Sequence, residues 1–77
     1  MVNERITRDE RVVHVRFEGQ SWDIAFGELD VGDRSSDQDV RRALAQHFDV
    51  PITKFSHYVV ERHANGNFTV RPEAVFG

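Results

Sequence analysis

A single helical pattern between two pairs of alternating apolar segments constrains this chain's fold more than any other feature. The alternating segments fall at residues 11–17 and 22–26, then at 58–63 and 68–71, with the helical pattern at Asp37–Phe48. Read in order this is ββαββ. Val13, Val15 and Phe17 share one face of the first strand, and Val12, His14 and Arg16 share the other, because strand side chains alternate with period two. Trp22, Ile24 and Phe26 alternate with Asp23 and Ala25. A turn over Glu18-Gly19-Gln20-Ser21 then brings the two apolar trios onto one face. A lone hairpin is marginal, so that face calls for a helix over it.

The helix has its own start and stop signals. Ser36 is a good N-cap, and Asp39 stands where a capping box places its acidic residue. Val40, Ala43, Leu44, His47 and Phe48 follow helical spacing, leaving Arg41, Arg42, Ala45 and Gln46 on other faces. Val50-Pro51 ends it, because a residue before proline avoids the α region. Residues 27–36 read as a loop from which Leu29 and Val31 reach the core. In the second hairpin a loop of Asn65-Gly66-Asn67 pairs Ala64 with Phe68 and Arg62 with Val70. Tyr58, Val60, Phe68 and Val70 then face inward, and Val59, Glu61, His63, Thr69 and Arg71 face outward.

Two antiparallel hairpins joined by one helix predict a two-layer α+β domain. Its four-stranded mixed sheet has the first and last strands side by side and parallel, with the helix on one face. The last strand is then central, so Pro72 marks its end. This ββαββ order resembles the β-grasp fold of ubiquitin-like modifiers, prokaryotic sulfur carriers and the immunoglobulin-binding domain of protein G. The expected organisation is a mobile tail over residues 1–10 and one β-grasp-like domain over 11–77.

The resemblance implies one functional possibility directly. Val75-Phe76-Gly77 ends on glycine, as ubiquitin-like modifiers and sulfur carriers do, where adenylation and acyl transfer need an unhindered carboxylate. Phe76 departs from the second glycine those families carry. Under that alternative, Gly77 is the conjugation residue.

Composition narrows the rest. With 39% hydrophobic and 30% charged residues the chain reads as globular. Its net charge of −3, with nine Arg and one Lys, argues against general nucleic-acid binding. It has no cysteine, which removes disulfides and thiolate chemistry and fits a cytoplasmic protein. No apolar run approaches the ~20 residues of a membrane span, and no membrane partner is expected. The start of the chain lacks the apolar core of a secretory signal.

No constellation of catalytic type emerges. Ser21, Ser35, Ser36 and Ser56 lie in no nucleophile elbow, so the chain reads as non-enzymatic. His14, His47, His57 and His63 lack metal-ligand spacing, and neither a metal nor another cofactor is expected. The acids Glu28, Asp30, Asp33, Asp37 and Asp39 lack the spacing of a calcium loop; Asp37 and Asp39 suit the first helical turn, where negative charge favours the helix dipole.

The residues with most to offer a partner lie on the sheet face away from the helix. Arg16, Val59 and Arg71 are the expected partner-binding residues, with His14, Val12 and Thr69 nearby, because arginine mixed with apolar side chains is enriched at protein interfaces. The edge strands offer a second route, by strand addition. The sequence is therefore read as a small protein–protein interaction module, with a second copy of the chain among its candidate partners. A ubiquitin-like modifier or sulfur carrier acting through Gly77 is the alternative.

Overall fold

The computed structural model describes residues 11–73. The proposed tail at 1–10 and the Val75-Phe76-Gly77 terminus lie outside the described residues. Strands β1 (Val12–Phe17) and β2 (Gln20–Ala25) lead into a single helical turn, α1 (Phe26–Leu29). The main helix α2 (Asp37–Phe48) and a 3-10 turn (Ile52–Phe55) follow, then β3 (Tyr58–Arg62) and β4 (Phe68–Pro72). The strands form one sheet in the order β2-β1-β4-β3. Both hairpins are antiparallel, and β1 lies parallel to the central β4. This is the expected mixed α+β sheet, with Pro72 closing its last strand.

Helix α2 occupies its expected span, and the reason is local. The Ser36 hydroxyl accepts from the Asp39 amide at 3.0 Å, and the Asp39 carboxylate accepts from the Ser36 amide at 3.1 Å. These two bonds satisfy donors that a helix start otherwise leaves orphaned. The buried stripe is rotated from the expected one, however. Val40, Leu44 and Ala45 are buried, while His47 is exposed and touches Phe48 edge-on. Ala45 belongs to the core because its methyl is small enough to sit where α2 meets the sheet.

The core lies on one side of the sheet. Val13, Val15, Phe17, Ile24, Phe68 and Val70 point from the strands toward Phe26, Leu29, Val40, Leu44, Ala45 and Phe55. An aromatic run fills its lower end. Phe17 stacks on Phe55 at 4.9 Å, Phe55 meets Tyr58 edge-on at 4.8 Å, and Phe48 lies 4.8 Å from Phe17. Such pairs add to the area they bury. Trp22 leans on Phe48 at 5.5 Å but remains 42% exposed at the rim.

Three local expectations need correction. The first turn is tighter than the four-residue turn expected. Phe17 pairs with Gln20, so only Glu18 and Gly19 turn the chain, both at positive φ (53° and 79°). That is the backbone sign pattern of the two-residue turn whose twist matches the flanking strands. Phe26 is not part of β2. It opens α1, where its ring turns inward against Phe68 at 4.7 Å.

The second hairpin loop is Ala64-Asn65-Gly66, one residue earlier than expected. The Gly66 amide reaches the His63 carbonyl at 2.9 Å, and the His63 amide reaches the Asn67 carbonyl at 2.9 Å. Gly66 takes φ +94°, as a residue closing such a three-residue loop must. Arg62 therefore pairs with Phe68 and Val60 with Val70. The shift is by two residues, so every side chain keeps its expected face and only the partners change. Beyond these, a 3-10 turn at Ile52–Phe55, where the sequence reading assigns no element, delivers the fully buried Phe55.

Candidate functional site: the open sheet face

Strand parity decides what stands on the face opposite α2. Ser21 pairs with Arg16, and Val59 pairs with Arg71. The parallel β1–β4 register runs from Val13–Phe68 to Val15–Val70, and its next step sets Arg16 beside Arg71. The sequence Ser21–Arg16–Arg71–Val59 is thus one row across all four strands. The three expected partner-binding residues, Arg16, Arg71 and Val59, stand together in it. A second row, Asp23–His14–Thr69–Glu61, lies directly alongside.

The members of these rows differ in how far they are committed. Arg71 grips Glu61 with two bonds, Nη2 to Oε2 at 2.9 Å and Nε to Oε1 at 3.3 Å. Those bonds, with the arginine's charge, hold the Glu61 carboxyl below the usual carboxylate range and push the Arg71 guanidinium up. His14 is already engaged: its Nδ1 is hydrogen-bonded to the Asp23 carboxylate on the neighbouring strand. His63 Nε2 meets the Thr69 hydroxyl at 2.7 Å. Arg16 is the contrast. It is exposed, and among the described residues no hydrogen bond or ion pair engages it.

Between the rows lies a shallow open depression of about 320 Å³, lined by His14, Arg16, Ser21, Asp23, Thr69 and Arg71. Its size suits one or two side chains of a partner. Arg16 presents a planar fork of donors there, which suits a carboxylate. A second depression, about 240 Å³, runs between α1 and α2, but its Arg42 already reaches the Asp39 carboxylate at 3.3 Å. Among the described residues no three His, Asp or Glu side chains gather as a metal site needs. No helix among them is long and apolar enough to cross a membrane.

The sheet's two edges are unequal. On β3 the ladder bonds use the odd residues, as the His63–Asn67 and Glu73–His57 bonds show, so Tyr58, Val60 and Arg62 turn their main-chain groups outward. Arg41 Nε of α2 donates to the Tyr58 carbonyl at 3.1 Å and covers part of that edge. On β2 the Phe26–Arg11 bond fixes the parity, so Ser21, Asp23 and Ala25 turn outward. Among the described residues nothing engages those groups.

Sequence reasoning set Asp23 on the outer face by alternation but missed its pairing with His14, and it gave Ser21 to the turn. A two-residue reading of the first turn places Asp23 opposite His14 and Ser21 opposite Arg16. The strongly twisting Glu18-Gly19 pair was the available signal. No family model, curated protein or solved structure matches this chain.

Proposed function

We propose that this chain is a non-enzymatic interaction module that engages another protein through its open sheet face. The observation that carries the reading is the row Ser21–Arg16–Arg71–Val59. It joins an arginine that no hydrogen bond or ion pair engages among the described residues, an arginine preset by Glu61, and a half-buried valine across the full width of the sheet. An arginine held in a fixed orientation loses less freedom on binding than a free one, and a flanking aliphatic excludes water.

The test compares substitutions on this face with loss of the terminal glycine. Tagged chains carrying Arg16→Glu, Val59→Asp or deletion of Gly77 are recovered from their native cells, and co-purifying proteins are quantified. Loss of the same partners from the two face variants, with retention in the Gly77 deletion, is expected. The opposite pattern, together with a covalent adduct mapped to Gly77 by intact mass, overturns the reading in favour of a modifier or sulfur carrier.

A further inference from the structure

The edge of β2, which no strand among the described residues pairs with on its outer side, carries three features that fit one occupant. Its outward main-chain groups belong to Ser21, Asp23 and Ala25. Trp22, 42% exposed, is the exposed large hydrophobic residue of the described chain and stands at this same edge on the helix side. Asp23 and Arg16 flank the small Ser21 on the opposite side. We infer that this edge pairs antiparallel with the same edge of a second copy, joining two four-stranded sheets into one of eight. The inference rests on the reading above, that the chain acts by association, and it names a partner.

Register follows from parity and charge. Only residues with outward main-chain groups can make hydrogen-bonded pairs across the new junction, so Ser21, Asp23 and Ala25 must face one another in some combination. Asp23 opposite Asp23 of the second copy sets like charges face to face, which is destabilising. Ser21 opposite Ser21 shortens the ladder and runs Asp23 past the end of the other strand. Ser21 opposite Asp23 of the second copy avoids both faults and, unlike Asp23 opposite Ala25, brings the exposed Trp22 onto the two-fold axis and Asp23 into the row of Arg16. In that register Trp22 stands directly opposite Trp22 of the second copy. The tryptophans form a non-hydrogen-bonded pair, where side chains approach most closely.

The same register gives Arg16 an acidic neighbour. Arg16 lies beside Ser21, and beyond Ser21 comes Asp23 of the second copy. Two strand spacings amount to roughly 10 Å, and an arginine reaching over a serine can span that distance to a carboxylate. The two-fold axis creates this contact twice. Arg16, which no hydrogen bond or ion pair engages among the described residues, thus meets a carboxylate in its own row, one that His14 of the second copy already orients.

The experiment is sedimentation of the purified full chain from low micromolar to millimolar concentration, followed in parallel by far-ultraviolet circular dichroism. The chain contains one tryptophan, so exciton coupling between indoles requires two copies. The expected result is a monomer–dimer equilibrium whose dimer fraction and exciton couplet rise together. Arg16→Glu and Asp23→Arg should each weaken the dimer by roughly tenfold or more, and the two combined should restore much of it. Arg16→Gln and Asp23→Asn provide milder variants should a reversal disturb folding.

A monomer throughout, a dimer without the couplet, or a double reversal no tighter than either single one overturns the inference. A monomer whose face variants still lose their co-purifying partners overturns the self-pairing alone. Face variants that keep those partners overturn the broader reading.

Discussion

The Arg62 guanidinium lies over the Phe68 ring, 4.5 Å from its centroid, and reaches past it to the start of α2. Its Nη2 donates to the Ser35 carbonyl and to the Asp37 carboxylate, each at 2.8 Å. One side chain thereby ties the β3–β4 hairpin to the helix N-terminus, where an acid is already favoured. Arg11 plays a parallel part at the start of β1. It lies 4.8 Å over Phe26, lies against Gly66 and pairs with Asp33.

Replacing Arg62 with alanine should therefore destabilise the fold by about 1–2 kcal/mol, combining charge-assisted hydrogen bonds with the ring contact and discounting for partial exposure. Arg62→Lys should recover only part of this, because an ammonium lacks the planar fork. Urea denaturation of the three chains checks it. Equal stability of Arg62→Ala and the parent would contradict the strut.

The first hairpin should be improvable. Glu18 sits at φ +53°, a backbone that asparagine tolerates far better than glutamate. Glu18→Asn creates the Asn-Gly pair favoured in two-residue turns and should stabilise by about 0.5–1 kcal/mol. A melting temperature that falls instead would mean the turn takes another form.

Phe55 should be among the most costly residues to truncate. It is fully buried and in contact with Phe17 and Tyr58. Phe55→Ala should remove about 3–5 kcal/mol. A domain of this size holds about 4–12 kcal/mol in total. Collapse of amide dispersion in a proton–nitrogen NMR spectrum is the expected sign; a native-like spectrum with an unchanged denaturation midpoint would contradict the packing.

Acid should loosen two contacts together. Asp39, through its bonds from the Ser36 amide and hydroxyl, and Glu61, through Arg71, both have carboxyls held below their ordinary range. A depressed native value means the unfolded chain binds the proton more readily. The stabilisation is therefore fully present above the ordinary carboxylate values of about 4 and is lost as pH falls through the native ones. Asp39→Asn and Glu61→Gln should each flatten the fall of stability on acidification below about pH 5. An unchanged slope in both would show that these pairs do not form in solution.

How much of this was legible depended on the range of each signal. The helix was readable to the residue because its limits are set by Ser36, Asp39 and Pro51, all within one turn of its ends. Strand faces were readable because alternation is local and survives a two-residue slip, which is why the inner set at Tyr58, Val60, Phe68 and Val70 held while the pairing of Arg62 with Phe68 was missed. Phe55 was missed because a single 3-10 turn has no periodicity to detect. The struts at Arg62 and Arg11 join residues far apart in sequence, so no local pattern announces them. On the open face, Arg16, Arg71 and Val59 were placed by parity alone. The commitment of His14 to Asp23 depended on a hairpin turn two residues tighter than the expected one.

The most direct test of the central claim is site-specific photocrosslinking in native cells, with a photoreactive residue placed in turn at Arg16, Val59 and Gln46. The first two stand on the open sheet face, and Gln46 is exposed on α2 in the opposite layer. The account predicts adducts, to a partner protein or to a second copy, from positions 16 and 59 and none above background from 46. Adducts from 46 with silence at 16 and 59 would show that the working surface is the helix layer.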